Sequence, residues 1–215
     1  MKTCYFCEEA LNFSKGRLRL PSDWPYADEV VYYDENVFSI VGSSPQVSPY
    51  LLILPKRHIY SMAQMNDKEW NSFICCLEYL INKGGYNEEL CIFEHGGKAN
   101  ESSSSIDHCH MHVIPGETGL YQNETFNTFI EMQNISNSSQ INGDNYLLIG
   151  RYINGKLDIK ISYDKTKGVH QYFRKVLSQK LCLPEWDWKK NPKFDIMLET
   201  LRGFKETKDK RILSK

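Results

Sequence analysis

Residues 108–113 read His-Cys-His-Met-His-Val, an alternation with a period of two. On a β-strand successive side chains point to opposite faces, so His108, His110 and His112 share one face while Cys109, Met111 and Val113 share the other. On an α-helix the same three histidines would spread over roughly 200°. The pattern therefore calls for a strand with its apolar back in a core and its imidazole front on a cleft. The chain has six histidines, and three of them fall here.

Three readings of that face compete. A solvated polar face involves no further chemistry. A metal site can draw on histidines at i and i+2, but i to i+4 spans about 13 Å on a strand, too far for all three to hold one ion. Nucleophilic catalysis is the third reading, with one imidazole attacking and its neighbours placed for other work. The span favours such a division of labour.

The surrounding sequence supplies strands and one long helix. Residues 36–41 are β-branched and aromatic and predict a strand, and residues 50–54 predict a buried strand that Pro55 ends. Over 67–83, Trp70, Phe73, Ile74, Leu77 and Ile81 recur on one helical face, with Asn66 placed to cap the first turn and Gly84-Gly85 to stop the last. Residues 89–93 predict a further strand, 96–105 a polar loop, and 106–114 the histidine strand, ended by Pro115. Beyond about residue 116 the composition changes. An Asn/Ser-rich connector (133–145) precedes two strand-like runs around Asn154-Gly155, the turn sequence that predicts a hairpin over 146–161. Helices are expected at about 169–182 and 193–204, followed by a frayed basic tail.

Charge and cysteine usage narrow the partners. Lys plus Arg (26) nearly equals Asp plus Glu (27), which argues against an electrostatic grip on nucleic acid but not against a local basic pocket. No apolar stretch of signal-peptide length opens the sequence, and the longest apolar run, residues 50–54, is too short to cross a bilayer. The expectation is a cytoplasmic protein without a membrane partner. Its seven cysteines then read as reduced thiols, some buried and some metal-bound.

The stretch HCHMHVIP (108–115) resembles the His-x-His-x-His signature of the histidine triad (HIT) superfamily of nucleotide hydrolases and transferases. Two more motifs agree in order and spacing. Cys4-Tyr5-Phe6-Cys7 is similar to the N-terminal Cys-x-x-Cys of many bacterial members, and residues 50–59 (YLLILPKRHI) resemble the strand and Pro-Lys-x-His turn that lead into the family's long helix. The resemblance covers residues 1–118. It implies an α+β fold, a HIT-like antiparallel sheet with helices on one side. Residues 119–215 are then an extension that closes over the cleft, blocks the family's homodimer, or adds a hairpin and helices to the sheet.

The same resemblance implies roles. His110 matches the nucleophilic middle histidine, which attacks the α-phosphorus of a nucleotide, and His112 matches the third, which contacts phosphate or the bridging oxygen. In zinc-bearing relatives the matching residues Cys4, Cys7, His58 and His108 form one tetrahedral structural site. Ser105 keeps a hydroxyl where relatives line the phosphates, whereas Ser104 stands in place of a glutamine. Glu94-His95-Gly96 replaces the usual Asn-x-Gly, which makes Glu94 and His95 candidate substrate contacts. Outside the resemblance, Gln171 and Arg174 lie at i and i+3 on a predicted helix, where Arg174 suits phosphate, although most helical arginines are solvated. The implied activity is hydrolysis at an α-phosphate of a dinucleoside polyphosphate or nucleoside phosphoramidate. The alternatives are transfer of the nucleotidyl group to phosphate or a sugar phosphate, and a nucleotide-binding regulatory protein with little turnover.

Overall fold

Apolar residues on both faces of the central strands decide how this chain packs. A computed structural model describes residues 4–11, 30–42, 44–83, 86, 88–97, 108–143, 145–163, 170–187, 190 and 193–212. Its strands are β1 (Val30–Tyr33), β2 (Val37–Val41), β3 (Leu51–Pro55), β4 (Glu89–Gly96), β5 (Met111–Pro115), β6 (Ile130–Met132), β7 (Tyr146–Ile153) and β8 (Lys156–Ser162). They form one antiparallel sheet in the order β1-β2-β3-β5-β4-β7-β8-β6. Every residue of β2 and β3 is buried, so neither face of these two strands is open to water.

The helices are α1 (Tyr5–Leu11), α2 (Asp67–Lys83), α3 (Tyr172–Lys180) and α4 (Phe194–Ile212). On one face Leu51 and Ile53 pack with Trp70, Phe73 and Leu77 of α2 and with Met197 and Leu201 of α4. On the other, Leu52, Leu54 and Phe93 pack with Phe6 of α1 and with Phe173 and Leu177 of α3. The expectation of helices on one side is thereby corrected, because the extension and the N-terminus supply the second cover. Burying each large apolar side chain contributes about 1.5–3 kcal/mol before ordering entropy is subtracted, which is what holds a helix as short as α3 in place.

Helix α2 starts where its cap predicts. Asn66 Oδ1 accepts from the Glu69 N–H at 3.0 Å, and Glu69 Oε2 accepts from the Asn66 N–H at 2.9 Å, a reciprocal capping box. The 146–161 hairpin also forms, with positive φ at both Asn154 (51°) and Gly155 (75°). Helix α4 runs on to Ile212, through residues expected to fray.

The histidine strand is shorter than the alternation suggests. Pairing begins at Met111, opposite Ile53. The preceding residues turn to other partners: the Cys109 N–H donates to the Ile59 carbonyl at 2.7 Å, and Pro55, at the end of β3, has no N–H to offer a ladder.

The 118/119 boundary does not divide the sheet. Strand β7 pairs with β4 along its whole length, from Glu89 opposite Ile153 to Gly96 opposite Tyr146. Of the roles open to the extension, adding a hairpin to the sheet is seen in this register, and α3 covers the face that carries Phe93.

Candidate functional site

Two sites meet at the head of β5. The first is a cluster of Cys4, Cys7, His58 and His108, whose ligand atoms all lie within 4.8 Å of one another. His108 sits 2.9 Å through Nε2 from the Pro55 carbonyl. A carbonyl can only accept, so Nε2 carries the proton and Nδ1 keeps its lone pair. That lone pair faces Cys4 Sγ at 3.4 Å and Cys7 Sγ at 3.6 Å, while His58 Nδ1 lies 3.3 Å from Cys7 Sγ. Tetrahedral zinc at ordinary bond lengths separates its ligands by about 3.3–3.8 Å. The donor set and its spacing therefore fit a metal ion, and the Pro55 carbonyl supplies the outer hydrogen bond that orients a ligating histidine. Burial and the adjacent Cys4 push the Cys7 thiol up to about 11, so a thiolate here calls for a cation beside it. Phe6, between the two cysteines, places its ring 5.8 Å from His108 and 5.6 Å from His110, which ties α1 to the histidine segment.

The second site is the pair His110 and His112, with ring centroids 5.2 Å apart. His110 Nδ1 lies 2.7 Å from the His108 carbonyl. By the same argument Nδ1 donates, and Nε2 is left with a free lone pair. Burial lowers the pKa of His110, and that of His112 well below the ordinary range, so both rings are neutral near pH 7. His112 stacks on Phe93 at 4.7 Å and meets the Tyr50 hydroxyl through Nδ1 at 2.9 Å. His95 follows Phe93 by two residues and shares this face. Burial, with His170 and His110 nearby, lowers its pKa to about 4.

Glu94 is a correction. As the neighbour of Phe93 and His95 on a strand it must point the other way, and its carboxylate is buried among core groups instead of facing His110 and His112. It accepts from the Met62 N–H at 3.0 and 3.2 Å, the Cys109 thiol at 3.1 Å and the Tyr146 hydroxyl at 2.5 Å. Ser105, together with the loop before it, lies outside the described residues. Arg174 is buried on α3, with donors engaged by the Trp186 and Ser44 carbonyls and the Tyr50 hydroxyl. Tyr50 and Tyr146 are additions that sequence reasoning missed. Tyr50 was within reach: it lies two residues before Leu52, on the same face, and Leu52 pairs with His112.

The Glu94 pocket carries a pH signature. Desolvation raises its pKa from 4.5 to about 7. A carboxyl whose folded pKa is raised contributes most below its unfolded value, and that contribution is lost as pH rises through the folded one. Glu94→Gln, which cannot ionise, is therefore expected to gain on the natural protein between pH 5 and 8, by up to on the order of 3 kcal/mol. Thermal unfolding at pH 5, 6.5 and 8 measures the difference, and a pH-independent gap would contradict it.

A half-buried, neutral imidazole pair on one sheet face, beside a two-cysteine, two-histidine cluster able to hold a metal ion, defines an α+β protein with a histidine-centred site. Residues 26–119 match the family model described as the HIT domain. An uncharacterized HIT-like protein of Methanocaldococcus jannaschii is 31% identical over 94 residues, which cover 42% of this chain and 70% of that one. The chain belongs to the histidine triad (HIT) family.

Among solved structures, a hypothetical histidine triad nucleotide-binding protein from Sulfolobus tokodaii is similar at 21% identity, covering 52% of this chain and 68% of that chain with a TM-score of 0.36. A HIT family hydrolase from Clostridium thermocellum is similar at 21% identity, with coverages of 54% and 92% and a TM-score of 0.37. Family membership rests on the sequence match. That match spans β1 to β5, and β6–β8, α3 and α4 lie beyond it.

Proposed function

We propose that the protein is a nucleotide hydrolase that acts at an α-phosphate of a dinucleoside polyphosphate or nucleoside phosphoramidate, through a nucleotidyl-histidine intermediate on His110. The observation that carries this reading is the hydrogen bond from His110 Nδ1 to the His108 carbonyl, 2.7 Å, which leaves Nε2 bare and neutral on the His112 face. In the first step Nε2 attacks the α-phosphorus, an N–P bond forms, and the bond from phosphorus to the leaving group breaks. His112 passes a proton from Nε2 to the departing oxygen or nitrogen while its Nδ1 takes one from the Tyr50 hydroxyl, 2.9 Å away, so the ring stays neutral. In the second step water attacks the same phosphorus and gives a proton to His112 Nε2, Nδ1 returns its proton to Tyr50, the N–P bond breaks, and a nucleoside monophosphate leaves with His110 and His112 restored.

Zinc is the proposed ion of the Cys4, Cys7, His58 and His108 cluster. Two thiolates and two imidazoles make a closed structural set without an open position for substrate. Its part is to fix α1 and the head of the histidine segment. Among the described residues no helix is long and apolar enough to cross a membrane, and the proposed partner is a small nucleotide.

The test is capture of the intermediate. The protein is mixed with a dinucleoside polyphosphate or a nucleoside phosphoramidate, quenched in alkaline denaturant and digested. The expected result is a nucleotidyl adduct on the peptide holding His110, lost on acid treatment, with nucleoside monophosphate as the product. Binding without adduct or product would overturn the reading in favour of a regulatory protein. A product joined to added phosphate or sugar phosphate would replace hydrolysis by transfer.

A further inference from the structure

The extension reaches the histidine face through one buried side chain. Arg174, on α3, is 5% exposed. Its Nε donates to the Trp186 carbonyl at 3.2 Å, Nη2 to the Ser44 carbonyl at 2.7 Å, and Nη1 to the Tyr50 hydroxyl at 3.3 Å. Tyr50 is fully buried, and its hydroxyl lies 2.9 Å from His112 Nδ1.

Donor and acceptor bookkeeping orders this chain of contacts. A guanidinium can only donate, so the phenolic oxygen accepts from Arg174. The phenolic proton then requires an acceptor, because a buried hydroxyl left unpaired costs about 1–3 kcal/mol. His112 Nδ1 is that acceptor. The opposite arrangement, with His112 Nδ1 donating to Tyr50, would strand the phenolic proton in the core.

We propose that Arg174 and Tyr50 are positioning residues that hold His112 in the tautomer with its proton on Nε2, so that the C-terminal extension creates the proton donor of the site. His110 and His112 then present opposite ring states on one face. The His108 carbonyl keeps Nε2 of His110 bare to attack, and Arg174 through Tyr50 keeps Nε2 of His112 protonated to donate, with the phenolic proton passing to Nδ1 as it does and Arg174 beside the phenolate that forms. The inference rests on the reading of His112 as donor to the leaving group, and the ring tautomer can be measured without any turnover.

Tyr50→Phe keeps the buried ring and removes the hydroxyl. Two readouts separate positioning from a general structural role. In long-range nitrogen–proton NMR spectra, His112 of the natural protein should be the single Nε2–H tautomer, and Tyr50→Phe should show a mixture. In kinetics, a nucleoside phosphoramidate, whose amine must be protonated to leave, should lose about 10²-fold in kcat, while a nucleoside p-nitrophenyl phosphate, whose phenolate leaves unprotonated, should stay within about threefold. Arg174→Gln, with Tyr50 intact, should shift the same ratio in the same direction by a smaller factor.

An Nδ1–H tautomer in the natural protein would overturn the proposal, as would an unchanged tautomer in Tyr50→Phe or equal losses with both substrates. An unchanged substrate ratio in Arg174→Gln would overturn the part assigned to Arg174. Absence of turnover in the natural protein would instead defeat the hydrolase reading, and the NMR result would still decide the tautomer.

Discussion

His110→Ala is expected to lower nucleotide turnover by at least about 10³-fold and to abolish the covalent adduct. The size follows from what the side chain supplies. His110 offers a neutral nitrogen whose lone pair is freed by the Nδ1 contact to the His108 carbonyl, and the neighbouring His112 cannot replace it while its own Nε2 holds a proton. The fold should tolerate the change, because the hydrogen bond lost is worth about 1 kcal/mol. Steady-state rates, adduct mass and a thermal melt on the same preparation check all three statements. Turnover that survives at about a tenth of the natural rate would place the nucleophile elsewhere.

Cys7→Ser is expected to remove the bound metal and to destabilise the chain by about 4 kcal/mol when free zinc stands about a thousandfold above its Kd. For a chain of this length that corresponds to a fall in Tm of roughly 10 °C. The effect is large because the cluster joins distant parts of the chain, Cys4 and Cys7 on one side, His58 and His108 on the other. Its loss would free α1 and withdraw Phe6 from His110. Metal content and melting curves with and without a chelator make the measurement. The chelator should lower the Tm of the natural protein and leave Cys7→Ser unmoved. Natural protein that carries no zinc would refute the assignment.

Local rules made much of the framework legible. The Asn66 cap, the helical spacing of Trp70, Phe73 and Leu77, and the Asn154-Gly155 turn each act within a few residues, and each forms as its chemistry demands. The alternation at 108–113 separates Cys109 and Met111, which are buried in the core, from His110 and His112 on the opposite face, although the ladder starts only at Met111. Strand alternation also held an unused warning: Glu94 and His95 are adjacent on one strand, so they cannot both face the same cleft. What local pattern could not carry was partnership at long range. Nothing near Arg174 in the chain announces that it will meet Tyr50, 124 residues away, and hydropathy does not encode the register of β7 on β4.

That register means the stretch matching the family is not a separable part. Strand β4 carries Leu90, Cys91, Ile92 and Phe93, all buried, and its outer backbone groups are satisfied by β7 over its full length. A fragment cut after residue 119 would carry that strand as a bare, apolar edge, the kind of template on which chains stack into aggregates. A fragment that ends after residue 119 is therefore expected to self-associate through that edge, and one that runs through β7 and β8 to keep it covered.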